Sequence, residues 1–284
     1  MTPDGAAHRA GPGAAGASPA RQRVVAVMPL RDGSSGKSRL ATVLDPAERS
    51  RLIAVLARHV VGTLLASEVV ERVVVVTSDP RFAWRALGSL VEPVHPAVDG
   101  APPMADPPAG GDVDSTGDDA PGRLQIVLQP ASRPGLNAAL DVGRELVAAR
   151  AAEPGAVRPD VPTARPVRLL VAHADLPALT TGDVEALLTE DSPVVVATDR
   201  TRSGTNLLVL DADAPFTFRF GVGSLDAHLS EAAVRDVRAA VVQRTGTAVD
   251  LDTLDDWSAL PADVRARDEL SELHRAMDRA ASGT

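Results

Sequence analysis

The residues best able to do chemistry fall into a few short segments. Near the N-terminus, Arg31-Asp32-Gly33-Ser34-Ser35-Gly36-Lys37-Ser38-Arg39 sets cations among small residues. Such a loop lets backbone amides approach an oxyanion, while Arg31, Lys37 and Arg39 supply positive charge. Lys37 is the sole lysine in a chain that otherwise uses arginine. Gly36-Lys37-Ser38 ends like a Walker A loop, but that motif needs glycine where Arg31 stands. The next helix start, Pro46, also comes well after Ser38, whereas a P-loop runs straight into its helix. A solvated surface loop and a phosphate-binding strand end remain the two readings.

Further on, Asp175-Leu176-Pro177 places a carboxylate where an apolar run stops. Asp175 reads either as a turn or capping residue ahead of Thr180 and Asp183, or as a ligand for a hard cation. Asp250-Leu251-Asp252 adds two carboxylates with one residue between them, which extended backbone points to one face. Like charges so close repel unless a cation lies between them or water surrounds them. Asp175, Asp250 and Asp252 together make a candidate Mg²⁺ site, with water and a substrate phosphate completing the octahedron. Asn137, in Gly135-Leu136-Asn137, is either a helix N-cap or an amide that reads a base. Ser224 either caps a helix or offers an anion site at its N-terminus. His173 and His228 carry structural and catalytic readings alike.

Positioning these groups requires an ordered scaffold. Val24–Met28, Arg72–Thr77, Leu124–Leu128 and Val167–Val171 read as short, wholly apolar strands. Amphipathic helices separate them: one opening at Asp45-Pro46-Ala47-Glu48, a short one over Pro80 to Leu87, and one over Asn137–Arg150. Four βα repeats predict an α/β fold with a mainly parallel sheet and helices on both faces. Ligands collect at the carboxyl ends of such strands. From residue 194 the rhythm changes to Val194–Thr198, Thr205–Leu210 and Ala239–Gln243, with a helix over about Ser224 to Ala233. The last two strands are more mixed, as near an edge or in a β-excursion. Residues 264–280 predict one amphipathic terminal helix.

The chain has 284 residues and a formal net charge of -9. Residues 1–22 read as a disordered extension, 95–122 as a disordered acidic insert with six Asp and no Lys or Arg, and 151–166 as a proline-rich linker. The remaining 218 residues suit one globular domain over 23–260 with a helical tail over 261–284. The insert carries much of the negative charge, and no basic footprint argues for nucleic acid. Four Phe, two Trp and no Tyr leave few rings for base stacking. Absent cysteine excludes disulfides, thiolate catalysis and Cys-ligated zinc. No apolar run is long enough to predict a membrane span, and a cytoplasmic location is expected.

Taken in order, Lys37-Ser38-Arg39-Leu40, Gly135-Leu136-Asn137, Ala174-Asp175-Leu176-Pro177, Gly204-Thr205-Asn206, Arg219-Phe220-Gly221 through Ser224 to His228, and Asp250-Leu251-Asp252-Thr253 resemble the CofC/FbiD family, guanylyltransferases of coenzyme F(420) biosynthesis. The match runs from about Val24 to Trp257. The resemblance implies a glycosyltransferase-A-like nucleotidyltransferase fold, with GTP and a small phosphorylated carboxylic acid as substrates and Mg²⁺ as cofactor. It implies Asp175, Asp250 and Asp252 as metal ligands and Thr205, Gly221 and Ser224 as acceptor-binding residues. Arg31, Lys37, Gly135 and Asn137 would attend the nucleotide, and Lys37, Arg39 and Asp175 the chemistry. Arg31 stands where members often have Lys, His173 where Pro or Gly is common, and Val222 where Pro is usual. Members use phosphoenolpyruvate, 2-phospho-L-lactate or 3-phospho-D-glycerate. The high-GC composition favours phosphoenolpyruvate, with product passed to a deazaflavin-accepting transferase and homodimers common. Outside this class stand a P-loop-like NTPase or kinase and a non-catalytic nucleotide binder.

Overall fold

A computed structural model describes residues 23–31, 37–90, 122–152 and 167–281. The N-terminal tail, the Gly/Ser part of the Lys37 loop, the acidic insert up to residue 121 and most of the proline-rich linker lie outside the described residues.

Strand β1 (Val24–Leu30) is buried along its whole length. It pairs in parallel with β2 (Val70–Thr77) and with β4 (Arg168–Ala172), and β2 pairs in parallel with β3 (Leu124–Leu128). A strand covered on both faces tolerates no polar side, which explains the unbroken valine runs. Helix α1 (Pro46–Ala66) starts as its sequence predicts. The Asp45 carboxylate accepts from the Glu48 N–H at 2.8 Å, Glu48 accepts from the Asp45 N–H at 2.9 Å, and Pro46 opens the first turn. Helix α2 spans Pro80–Leu87 and α3 spans Leu136–Ala151.

Helices cover both faces. Ile53, Val60 and Leu64 of α1, Phe82 and Leu87 of α2, and Val184 and Leu187 of α4 (Thr181–Leu188) pack on one side. Leu140 and Val147 of α3 and Leu225 and Ala232 of α5 (Ser224–Val234) pack on the other. Full burial of such a side chain contributes about 1.5–3 kcal/mol, so these two layers carry most of the fold's stability.

Strand β5 (Val194–Thr198) and β6 (Thr205–Asp211) form an antiparallel hairpin. β6 also runs antiparallel to β4, and β7 (Ala239–Val242) lies beside β5, giving the order β3-β2-β1-β4-β6-β5-β7. Of the two strands with mixed patterns, only β7 is at the edge. β6 sits inside the sheet because its polar residues are satisfied there: the Asn206 amide, for example, donates to the Thr247 carbonyl at 2.9 Å. The C-terminal stretch also differs from a single helix. It divides into α8 (Ala262–Arg265), a 3₁₀ turn over Asp268–Leu270 and α9 (Ser271–Ala281), following α6 (Thr245–Ala248) and α7 (Leu254–Ala259). Arg267 breaks the helix in extended conformation, and its guanidinium donates to the Pro177 carbonyl at 2.8 Å. The break lets Val264, Leu270 and Leu273 all pack with Leu52 and Leu56 of α1.

The parallel register brings the ends of β1, β2, β3 and β4 to one edge. Because β6 runs the other way and pairs Leu207 with Ala172, its first residue, Thr205, lies at that same edge.

Helix α3 approaches the sheet closely at Gly143, where an added Cβ would lie 2.5 Å from Val27 Cγ1 and 3.2 Å from Val76 Cγ2. Gly143→Leu should therefore lower unfolding free energy by about 1–3 kcal/mol in urea titrations. Adding Val27→Ala should recover part of that loss.

Candidate active site

Asp175 follows β4 at the converging strand ends. Its backbone carbonyl accepts from the Leu251 N–H at 3.0 Å, which docks the Val249–Asp252 segment alongside. Leu251 is fully buried among α1 and C-terminal side chains, while Asp250 and Asp252 on either side of it line a cleft of about 340 Å³. Arg31, Lys37, His173 and Asp175 line the same cleft. The alternating spacing thus has the consequence expected of it. The cap reading of Asp175 falls away, because Thr180 caps α4 with Asp183 completing the box.

At the centre stands Lys37. Its Nζ donates to Asp175 Oδ2 at 2.6 Å and to Asp252 Oδ1 at 2.6 Å, and its side chain is 6% exposed. Burial alone would lower its pKa, but the two carboxylates outweigh that and raise it. Burial likewise opposes the Asp175 charge, and Lys37 overcomes it, holding Asp175 below the usual carboxylate range. Asp250 goes the other way: burial, then Asp175, raise its pKa. The cleft therefore holds more negative charge than Lys37 offsets. Asp175 Oδ1 and His173 Nε2 are buried there without a hydrogen-bond partner. Unpartnered polar atoms of this kind call for a ligand or water.

A ready-made three-carboxylate metal cluster is not found among the described residues. The ammonium of Lys37 occupies the place between Asp175 and Asp252 where a cation was expected. The donor set still suits Mg²⁺, which takes one or two carboxylates and fills its other positions with water and substrate phosphate. The idle Asp175 oxygen and the uncompensated Asp250 are hard donors of the right kind.

A second cleft of about 290 Å³ adjoins the first, sharing Pro29, Leu30, Arg31 and Leu136, and is also lined by Ser78, Gln129, Pro134 and Gly135. Gly135 has φ +96°, a conformation open to glycine, and stands as the N-cap of α3. Asn137 is thus not the N-cap. Its amide oxygen accepts from the Phe220 N–H at 2.9 Å and its NH₂ donates to the Phe220 carbonyl at 3.1 Å, so these groups fix a backbone rather than read a base. Arg39 is exposed on the turn after Lys37, outside the lining of either cleft. A larger cleft, of about 400 Å³, lies beside α1 and Arg267 and shares only Leu56 with the cleft around Lys37.

Thr205, Gly221 and Ser224 gather on the far side of Phe220. Ser224 is the first residue of α5, after Gly223, and its hydroxyl accepts from the Thr205 N–H at 2.8 Å rather than capping the helix. His228 is fully buried. Its Nε2 accepts from the Arg219 N–H at 3.0 Å, which leaves the ring proton on Nδ1 to donate to Thr205 Oγ1 at 2.9 Å. The Thr205 hydroxyl proton is then directed elsewhere. The Phe220 ring meets His228 edge-to-face at 4.7 Å and lies tilted against His173 at 5.2 Å, tying this loop to the cleft. Phe220 was not singled out for its chemistry by the sequence. Its place in the apolar-aromatic run Phe216-Thr217-Phe218-Arg219-Phe220 was the available signal.

The sheet is mainly parallel with an antiparallel strand inside it, an α/β fold whose structural neighbours include a nucleotidyl transferase from Methanothermobacter, 18% identical with a TM-score of 0.50. A solved structure of a presumed nucleotide-diphospho-sugar transferase from Desulfovibrio desulfuricans G20 shares the fold, with a TM-score of 0.59, 9% identity, and coverage of 92% of this chain and 96% of that one. Residues 123–265 match the guanylyl transferase CofC-like family. A phosphoenolpyruvate guanylyltransferase from Rubrobacter xylanophilus is 34% identical over 244 residues, covering 84% of this chain and 94% of the relative. A 3-phospho-D-glycerate guanylyltransferase from Phenylobacterium zucineum is 30% identical over 255 residues, covering 87% of this chain and 95% of the relative. The chain belongs to the guanylyl transferase CofC-like family.

Burial, aided by the neighbouring His173 and only partly opposed by Glu231, lowers the His228 pKa to about 4. The unfolded chain binds this proton below about pH 6.5, so the stability from neutral His228 is full above that pH and falls as pH drops toward 4. His228→Leu should cost about 1–3 kcal/mol at pH 7 by orphaning the Arg219 N–H. It should also remove up to about 3 kcal/mol of the acid-induced loss, read by urea unfolding at pH 7, 5.5 and 4.5.

Proposed function

We propose that the protein transfers GMP from GTP to the phosphate of phosphoenolpyruvate. The products are pyrophosphate and enolpyruvyl-2-diphospho-5'-guanosine, an intermediate of coenzyme F(420) biosynthesis that a deazaflavin-accepting transferase in the cytoplasm would consume. The observation that carries this reading is the Lys37, Asp175, Asp250 and Asp252 cleft at the strand ends of a family member. The name of the Rubrobacter relative supports phosphoenolpyruvate. That of the Phenylobacterium relative supports 3-phospho-D-glycerate as the second reading, with 2-phospho-L-lactate differing by only a few atoms.

In this reading the guanine side of the nucleotide takes the cleft at Ser78, Gln129 and Gly135, and the triphosphate takes the cleft at Arg31 and Lys37. Gln129 donates to the Arg133 and Gly135 carbonyls at 2.7 and 2.9 Å, holding the loop that opens α3. Asp175, with Asp250 and Asp252, would hold Mg²⁺, which when bound supplies charge neutralisation on phosphate oxygens. Lys37 offsets charge on the departing pyrophosphate, and Arg39 on the adjoining turn adds long-range positive potential. Thr205, Ser224 and the Gly221 turn would orient the acceptor's phosphate and carboxylate. Phosphoryl transfer of this kind depends on positioning and electrostatics. The attacking phosphate oxygen is already ionised at neutral pH, so neither His173 nor His228 is needed as a base.

Pyrophosphate release from GTP, measured with each acid in turn and the deazaflavin acceptor present, tests the reading. Phosphoenolpyruvate should give the highest kcat/KM; no turnover with any of the three acids defeats the assignment. Orthophosphate or GDP in place of pyrophosphate would instead indicate an NTPase or kinase. Asp175→Asn and Asp252→Asn should each lower kcat by about a hundredfold or more with circular dichroism unchanged.

A further inference from the structure

We propose that Lys37 is a stand-in for the divalent cation, and that cation binding displaces its ammonium from Asp175 and Asp252 so that it can meet the triphosphate. The proposal rests on the functional reading above and adds an exchange to it.

Both contacts of Nζ, at 2.6 Å, are to carboxylates assigned to the cation. A magnesium ion needs those oxygens at about 2.1 Å in near-octahedral geometry, and cannot share them with a tightly bonded ammonium. Two positive charges held side by side in a partly desolvated cleft also repel strongly. The two cations therefore compete for Asp175 Oδ2 and Asp252 Oδ1.

The residue type fits a carrier that must let go. Arginine, which this chain uses everywhere else, grips carboxylates with a planar fork. An ammonium is a compact point charge on a flexible stem, the side chain closest to a monatomic cation. The backbone of Lys37 is held in the left-handed region at φ 56°, which is unfavourable for a residue with a Cβ. The Lys37 carbonyl also accepts from the Leu40 N–H at 2.9 Å, so the turn keeps its place while the side chain is free to exchange partners. The Asp252 side chain is 43% exposed, so the exchange opens directly to solvent. The exposed Asp252 carboxylate gives an arriving cation its first contact, and the buried, unpartnered Asp175 Oδ1 is a further donor once the cation is inside.

Because Lys37 is the only lysine, its side chain reports on itself. The native protein is treated with an amine-acetylating reagent without and with Mn²⁺, no nucleotide being present, and acetylation of the Lys37 peptide is read by mass spectrometry. Electron paramagnetic resonance counts bound Mn²⁺ in the same samples and in Lys37→Met. Acetylation should rise several-fold with Mn²⁺ occupancy, and Lys37→Met should bind Mn²⁺ about tenfold more tightly than the native protein. Bound Mn²⁺ with unchanged acetylation, or a folded Lys37→Met that binds no more tightly, overturns the exchange while leaving the cation in the functional reading. Should Lys37→Met fail to fold, the acetylation of the native protein decides. No Mn²⁺ bound by any form, even with GTP, removes the cation from the functional reading and the exchange with it.

Discussion

One buried ammonium shared by two carboxylates organises the cleft at the strand ends of this protein. Lys37 lies 138 residues from Asp175 and 215 from Asp252 in the chain, yet both ion pairs are 2.6 Å long. Such a charge is tolerable inside a protein only when partners are held rigidly in place. The sheet provides that rigidity. Lys37 follows β1, Asp175 follows its parallel neighbour β4, and a backbone bond from Leu251 pins the segment bearing Asp250 and Asp252 to Asp175. The third core cluster seals the arrangement from below, with Leu40 beside the lysine turn and Leu251 between the two aspartates in one apolar group.

Phe220 plays the corresponding part for the segment that carries Gly221 and Ser224. Its backbone is clamped by Asn137 from α3, and its ring lies between His173 of the cleft and His228 of α5. The start of α3, the charged cleft and the Gly221 turn are thereby joined at one residue. His228 extends the chain of contacts by fixing both the Arg219 turn and the Thr205 hydroxyl.

Local rules were legible where they act over a few residues. The Asp45–Glu48 capping box, the proline openings of α1 and α2, the apolar parallel strands and the outward pairing of Asp250 and Asp252 all follow from propensity and periodicity. Two features resisted such reading. β6 carries Thr205 and Asn206, which suggests exposure, but hydrogen bonds to partners on α5 and α6 let it lie within the sheet. The amphipathic pattern over 264–280 is continuous, yet the chain breaks at Arg267 to reach the Pro177 carbonyl.

The sequence by itself determined the α/β class, the helix starts and the set of residues carrying charge at the strand ends, because periodicity and capping are local. Tertiary structure decided what those residues do to one another. It put the lysine rather than a gap between Asp175 and Asp252, turned Asn137 onto the Phe220 backbone and set the proton on His228 Nδ1. Each of these depends on hydrogen bonds between segments distant in the chain, whose distances and directions exist only once the sheet has brought them together.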